Sequence, residues 1–322
     1  MENKLHISVS PHIHSKRTTQ KVMLDVLIAL LPATIAGVVI FGIESLWVIA
    51  VCVGVSVLSE LLFNIIVKKQ QTVSDLSAAV TGLLLALNLP ANVPLWQAAV
   101  GSLFAIIIVK CLFGGIGRNV VNPAITGRVF MLVAFSSLTK AAFPKGVDAT
   151  SAATPLPAIA DALSKVEGNA KFDVSTVVSL KDLLLGNIGG ALGETCAVAL
   201  LIGGLYLLIK KVITWHIPVA FIGTTFLFTL IVKDFDAMLA LSLVLSGGLI
   251  LGAFFMATDY VTSPTTPLGK IIFGIGAGLI TVLIREWGVY PEGVSFAILI
   301  MNILNPYIDS LTARKLFGGV KK

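Results

Sequence analysis

The stretch Asp148-Ala-Thr-Ser151-Ala-Ala-Thr154-Pro155 places an acid, a serine and two threonines among small residues in an otherwise apolar chain. Such a segment buries almost nothing and leaves a hydroxyl approachable. A second candidate is the loop Phe113-Gly-Gly-Ile-Gly-Arg118-Asn119-Val-Val-Asn122-Pro123-Ala124. Its glycines permit close backbone approach, and Asn119 and Asn122 offer uncharged donors and acceptors suited to the edge of a flat heterocycle. A tight loop whose asparagines cap their own helix explains the same residues. A third is Ala257-Thr258-Asp259-Tyr260-Val-Thr262-Ser263-Pro-Thr265-Thr266-Pro267, where six polar groups exceed what one helix cap needs. Thr81 lies in a fourth polar stretch, Ser74–Pro90, whose small residues equally suit helix packing.

Ionisable residues within apolar spans are costly and often functional. Asp25 and Glu60 are the most clearly enclosed, and both are candidate steps for a cation or proton. Asp75, Lys110, Glu194, Asp259, Lys270 and Asp309 complete the set, several at positions where an interfacial reading serves as well. Cys52, Cys111 and Cys196 form no close-spaced set, and the four histidines show no metal spacing. Gly274-Ile-Gly276-Ala-Gly278 lacks a preceding strand and reads as a helix-packing surface, not a dinucleotide loop.

The elements that position these residues are membrane helices. The 322 residues are 56% hydrophobic and 12% charged, with mean hydropathy +0.96, too apolar for a soluble core and its polar cover. The fold class is therefore an all-α polytopic membrane protein. Ten segments are expected: Val22–Phe41, Leu46–Val67, Val73–Leu89, Leu95–Phe113, Asn122–Leu138, Ala191–Ile209, Trp215–Val232, Ala237–Ala257, Pro267–Ile284 and Glu292–Asp309. The third, fifth, ninth and tenth are the ones expected to be short, tilted or broken. Five segments precede and five follow the polar interval, an arrangement of two inverted repeats offset by about 170 residues. The chain thus divides into a cytoplasmic segment 1–21, repeats 22–138 and 191–310, an extracytoplasmic loop 139–190 and a basic tail 311–322.

The net charge of +6 fits membrane orientation better than nucleic acid, because most Lys and Arg fall on one face. That face would be cytoplasmic and would carry both termini, along with Lys110, Arg118 and Arg128. Only Lys233 and Arg285 fall in the short loops of the opposite face. No removable signal peptide is expected at the N-terminus.

At four of these places the chain resembles a known family, that of the B subunit of the sodium-pumping NADH:quinone reductase and the D subunit of the Rnf complex. The matching pieces are Thr81–Pro90, the Gly-Gly-Ile-Gly-Arg-Asn-x-x-Asn-Pro-Ala loop, Ala257–Pro267, and Glu292-Gly through Asn305-Pro. Ser151-Ala-Ala-Thr154 is similar to the family's flavin-attachment motif, with Ala152 where glycine is usual. The short N-terminal arm and the Thr-Ser-Pro-Thr-Thr-Pro run look more like the Rnf branch.

This resemblance implies FMN esterified through its phosphate to Thr154 by a separate flavin transferase, with Asp148 and Ser151 completing the motif. It further implies a non-covalent riboflavin, for which Thr81, Asn119, Asn122 and Asp259 are the candidate pocket. Glu60, Asp259 and Asp309 resemble acidic positions of the family tied to ion movement, and the expected ion path is Glu60, Asp25 and Asp309. The implied role is electron transfer coupled to Na+ or H+ movement in a bacterial inner-membrane ferredoxin:NAD+ oxidoreductase. Implied partners are other membrane subunits, a flavoprotein subunit facing outward and cytoplasmic iron–sulfur subunits; no nucleic acid is expected. A B-type quinone-reductase subunit and a non-redox transporter or channel are the alternatives.

Overall fold

The computed structural model describes residues 17–135, 138, 142–144, 154–164, 174, 177–288, 290 and 292–313. Asp148 and Ser151 lie outside them. The regular structure among the described residues is all helical, with one isolated bridge between Ala142 and Gly190 and no strand.

Two long helices open the chain, α1 (Thr19–Phe41) and α2 (Ile43–Ile66). On α1 the exposed residues Leu24, Leu31, Ile35 and Val39 recur at helical spacing and make one apolar outer stripe. The inner face carries Ala29, Ala33 and Gly37, four residues apart, which allow another helix to approach closely. Short helices follow: α3 (Ser77–Leu87), α4 (Leu95–Leu103, continuing to Cys111 as a wider π-helical stretch) and α5 (Pro123–Ala134). Two small helices, α6 (Pro155–Ser164) and α7 (Leu180–Leu185), lie in the polar interval.

The second half comprises α8 (Ala197–Ile209), α9 (His216–Val232), α10 (Ala237–Leu245) and α11 (Leu249–Leu251, continuing to Met256 as a π turn). It ends with α12 (Pro267–Trp287) and α13 (Val294–Thr312). Four of these helices are long and apolar enough to cross a bilayer, and the bent pair Ala237–Leu245 and Leu249–Met256 would make a fifth. With the shorter apolar helices, they make this a multi-pass membrane protein.

The main interruption falls elsewhere than expected. The ninth and tenth segments are continuous helices of 21 and 19 residues, whereas the eighth bends by 67° at Ser246–Gly248. Gly247 adopts φ +71°, which a β-carbon would resist. Arg285 of α12 donates to the carbonyls of Leu243 (2.7 Å) and Ser246 (3.2 Å), satisfying acceptors at the end of α10. The third and fifth segments are short, as expected: α3 and α5 span 11 and 12 residues.

Within the first half, α2 packs on α3 and α4; within the second, α9 packs on α10 and α12. The pairs α1–α8 and α5–α13 join the halves. Small residues set these contacts. A β-carbon at Gly274 would come within 2.7 Å of Ala220 Cβ, and one at Gly278 within 2.8 Å of Thr224 Cβ, so this glycine run is indeed a packing surface.

Gly203 of α8 sits against the Ala29 carbonyl so closely that any β-carbon would overlap it, while Gly223 of α9 faces open space. Gly203→Ala should therefore cost about 1–3 kcal/mol through overpacking, seen as a lower melting temperature in detergent. Gly223→Ala should leave that temperature unchanged or raise it slightly.

Candidate functional sites at the two ends of the bundle

A cavity of about 480 Å³ opens beside the start of α1. Thr81, Asn119, Asn122 and Asp259 all line it, although they come from three separate stretches of the chain. Its apolar wall includes Val22, Leu84, Leu207 and Phe255. A volume in the range of roughly 300–1,000 Å³ with a few convergent polar groups is what a small-molecule site requires.

The polar groups are partly committed to one another. Asn122 Oδ1 accepts from the N–H groups of Ala124 (3.0 Å) and Ile125 (3.3 Å), capping α5, and its Nδ2 donates to the Met256 carbonyl (3.2 Å). Asn122 thus caps its helix, as the local reading has it, and also lines the cavity. The Thr81 hydroxyl donates to the Ser77 carbonyl (3.0 Å), and its oxygen keeps acceptor capacity. Asn119 Nδ2 donates to Val121 O (3.1 Å) and its side chain also reaches Asp259. Burial pushes the Asp259 carboxyl above its ordinary range. The Thr262 hydroxyl (3.1 Å), the backbone N–H groups of Val261 and Tyr260, and Asn119 oppose that shift.

Sequence reasoning missed Asn302, which is 1% exposed on α13. Its amide donates to the Thr262 carbonyl (3.2 Å) and accepts from the Asn122 N–H (3.1 Å), tying two cavity loops together. An asparagine inside an apolar helix was the available signal, since a buried amide needs partners.

Behind this cavity is a buried ion pair. Lys110 Nζ donates to both Glu60 oxygens at 3.0 Å and to Ser77 Oγ at 2.6 Å. Thr72 donates to Glu60 Oε1 (2.8 Å), and Asp75 accepts from the Ser77 hydroxyl (2.5 Å). Leu76, between Asp75 and Ser77, has φ +64°, a strained conformation for a leucine that fixes both neighbours at the start of α3. Lys110 is thus no interfacial charge; it is 2% exposed and neutralises Glu60.

The other expected ion-path acids do not join this pair. Asp25 accepts from Tyr206 Oη (2.9 Å) across the α1–α8 contact, and Asp309 accepts from the Thr265 N–H (2.9 Å) and hydroxyl (3.1 Å).

A smaller pocket, about 110 Å³, lies toward the opposite end, where Gly186 and Leu192 approach Ile40 and Gly37 of α1. Thr154 lines it, at the start of α6, where its carbonyl accepts from the Ala158 N–H (2.9 Å). Arg128, Glu194, Thr195 and Glu292 line it too. Arg128 was expected on the face carrying the N-terminus; instead it is 4% exposed, with Nη2 donating to Glu292 Oε2 at 3.1 Å. The pairing spans 164 residues, so no local window could show it.

Removing one partner of a buried pair strands the other, which costs about 3–5 kcal/mol, whereas replacing both is nearly neutral. Lys110→Met should accordingly lower thermal stability sharply, and Lys110→Met with Glu60→Gln should restore most of it. Melting curves of the two variants check this.

The chain is similar to known proteins along nearly its whole length. The profile of the NQR2, RnfD, RnfE family matches residues 6–318. The D subunit of the Na(+)-translocating ferredoxin:NAD(+) oxidoreductase complex of Acetobacterium woodii is 45% identical, covering 99% of this chain and 97% of that protein. The D subunit of the proton-translocating ferredoxin:NAD(+) oxidoreductase complex of Clostridium ljungdahlii is 41% identical, covering 98% and 97%. The D subunit of an ion-translocating oxidoreductase complex of Escherichia coli is 35% identical, covering 98% and 99%. With matches that run nearly from end to end, this chain belongs to the NQR2, RnfD, RnfE family.

Proposed function

We propose that this chain is the D-type membrane subunit of an ion-translocating ferredoxin:NAD+ oxidoreductase. In that role it carries electrons through FMN linked to Thr154 and through riboflavin in the larger cavity, coupled to Na+ or H+ movement. The observation that carries the reading is the cavity itself, which draws Thr81, Asn119, Asn122 and Asp259 around one volume of about 480 Å³. The near-complete match to the D subunits of such complexes supports the same assignment.

Added to the four long helices, the bent pair and the five shorter apolar helices would make ten spans, in two inverted halves under this reading. The end carrying the N-terminus faces the cytoplasm of a bacterial inner membrane, and the Thr154 end faces outward. The two sites then lie some 20–30 Å apart along α1, by the rise of its 23 residues. Two redox groups at opposite faces suit a subunit that passes electrons across the bilayer. Other membrane subunits, an outward-facing flavoprotein and cytoplasmic iron–sulfur proteins would supply and receive them, and a flavin transferase would modify Thr154.

The donor set fits a neutral tricyclic ring. Apolar side chains provide the faces, and Asn119 with the oxygens of Thr81 and Asp259 provides the edge. When bound, the flavin supplies one- and two-electron chemistry. The protein excludes water, fixes the ring edge and sets the surrounding charge. Asp25, Glu60 and Asp309 are the acids proposed to assist a cation or proton. A cation reaching Glu60 has to compete with the Lys110 ammonium already bound there.

Two outcomes test this reading in complex made together with its flavin transferase. Thr154→Ala should abolish the fluorescent covalent-flavin band of this subunit in a denaturing gel while the subunit still assembles. Asp259→Asn combined with Asn119→Leu should instead reduce extractable riboflavin and leave that band intact. A covalent band that persists without the Thr154 hydroxyl would refute the attachment site.

A further inference from the structure

The pocket beside Thr154 has a composition that the attachment of a flavin does not by itself require. Arg128 is nine-tenths buried, and one of its terminal nitrogens, Nη2, is taken by Glu292. Its Nε and Nη1 have no hydrogen-bond partner among the described residues, nor does the fully buried Thr195 hydroxyl. Both residues line the pocket together with Thr154. A guanidinium with two idle donors is expensive to bury, so the arrangement is incomplete without an acceptor.

Charge gives the acceptor's sign. Glu194 and Glu292 lie in side-chain hydrogen-bond contact with each other, which two carboxyls manage only by sharing a proton. The pair then carries one negative charge, set against the guanidinium groups of Arg128 and Arg285 that both act on it. Glu286 also acts on Arg285 but is itself paired with Lys233 Nζ (2.5 Å), so one positive charge is left over, and a monoanion balances it.

Size gives its class. A volume of about 110 Å³ has room for a phosphoryl group against the idle donors. Arginine forks match phosphate oxygens in geometry as well as charge.

We propose that Arg128, with the Thr195 hydroxyl, forms a phosphate subsite that seats the phosphodiester joining FMN to Thr154. The inference rests on Thr154 being the attachment point. The phosphodiester would carry a single negative charge into the pocket. Arg128 acts as a positioning residue: it fixes the tether, and through the tether the start of α6.

The test uses the whole complex, prepared with and without the flavin transferase, and reads hydrogen exchange in Pro155–Ser164. In the unsubstituted protein, flavin attachment should slow exchange in this helix about tenfold, the factor one charge-assisted hydrogen bond commands. Because Arg128→Ala alone would strand Glu292, the informative variant is Arg128→Gln with Glu292→Gln. There, attachment should no longer slow exchange, whereas Arg128→Lys should keep part of the effect.

Equal protection in the double variant would overturn the proposal. So would loss of the modification in that variant, because the subsite acts after attachment. Millimolar inorganic phosphate added to unmodified complex should protect the helix far less than the tethered group; equal protection would assign the subsite to free phosphate instead. Intact-mass measurement separates the two layers. A bare Thr154 in the unsubstituted protein defeats the flavin reading and this inference together. A modified Thr154 with no dependence on Arg128 defeats this inference alone.

Discussion

Charge carried into an apolar bundle must be cancelled where it sits, and that requirement shapes both ends of this molecule. Glu60 and Lys110 cancel each other behind the larger cavity, and Arg128 and Glu292 do so at the smaller pocket. Neither pair is a surface ornament, since each has a member less than 5% exposed. Burying such a pair seldom adds net stability, because desolvation consumes most of the attraction. Its value lies in fixing which segments meet. Lys110 pins the end of the π-helical stretch to α2 and to the start of α3. Arg128 pins α5 to the loop that enters α13, and so joins the halves.

The irregular backbone follows from the same requirement. Helices that stop inside a membrane leave carbonyl and N–H groups without partners, and each must be satisfied locally. Asn122 caps α5, Asp236 caps α10 through the N–H groups of Met238 and Leu239, and Arg285 closes the end of α10. The two π-helical stretches, at Phe104–Cys111 and Gly252–Met256, both end at the larger cavity. Widened turns of this kind often mark functional positions because they redirect side chains without ending the helix. Here they contribute Lys110 on one side and Phe254 and Phe255 on the other.

How much of this was readable in the sequence depends on the range of the interaction. Local features were legible: the apolar spans, the short third and fifth segments, the Asn122 cap before Pro123, and the glycine packing surface of α12. The four residues around the cavity stand in polar stretches for which capping or helix packing also serves, and only Ala257–Pro267 holds more polar groups than a helix cap needs. What failed was long-range pairing. Counting Lys and Arg by loop treats every cation as a topology marker, so Arg128 was sent to the membrane face although its partner, Glu292, lies in the other half. The break in α10–α11 escaped for a related reason. Ser246-Gly247-Gly248 reads as part of an apolar run until Arg285, 37 residues after Gly248, supplies the donors that let the helix stop. Asn302 was legible only as an oddity, because its partners come from loops that the fold alone brings near.

The two pockets differ in kind, and the difference follows from solvation. A wide cavity walled by Val, Leu and Phe favours a ligand whose own faces are apolar, with a few uncharged contacts setting its orientation. Placing a phosphate there would strip its hydration shell with little in return, since both cations on the wall are already engaged, Lys110 by Glu60 and Arg17 by the carbonyls of Lys210 and Lys211. The narrow pocket has the opposite character. It offers two idle guanidinium nitrogens and an unpartnered threonine hydroxyl around a volume of about 110 Å³. A single cofactor that is part ring and part phosphate cannot be served well by either site alone. A tether anchored in the charged pocket resolves that conflict, whereas a flavin without a phosphate suits the apolar cavity without any anchor.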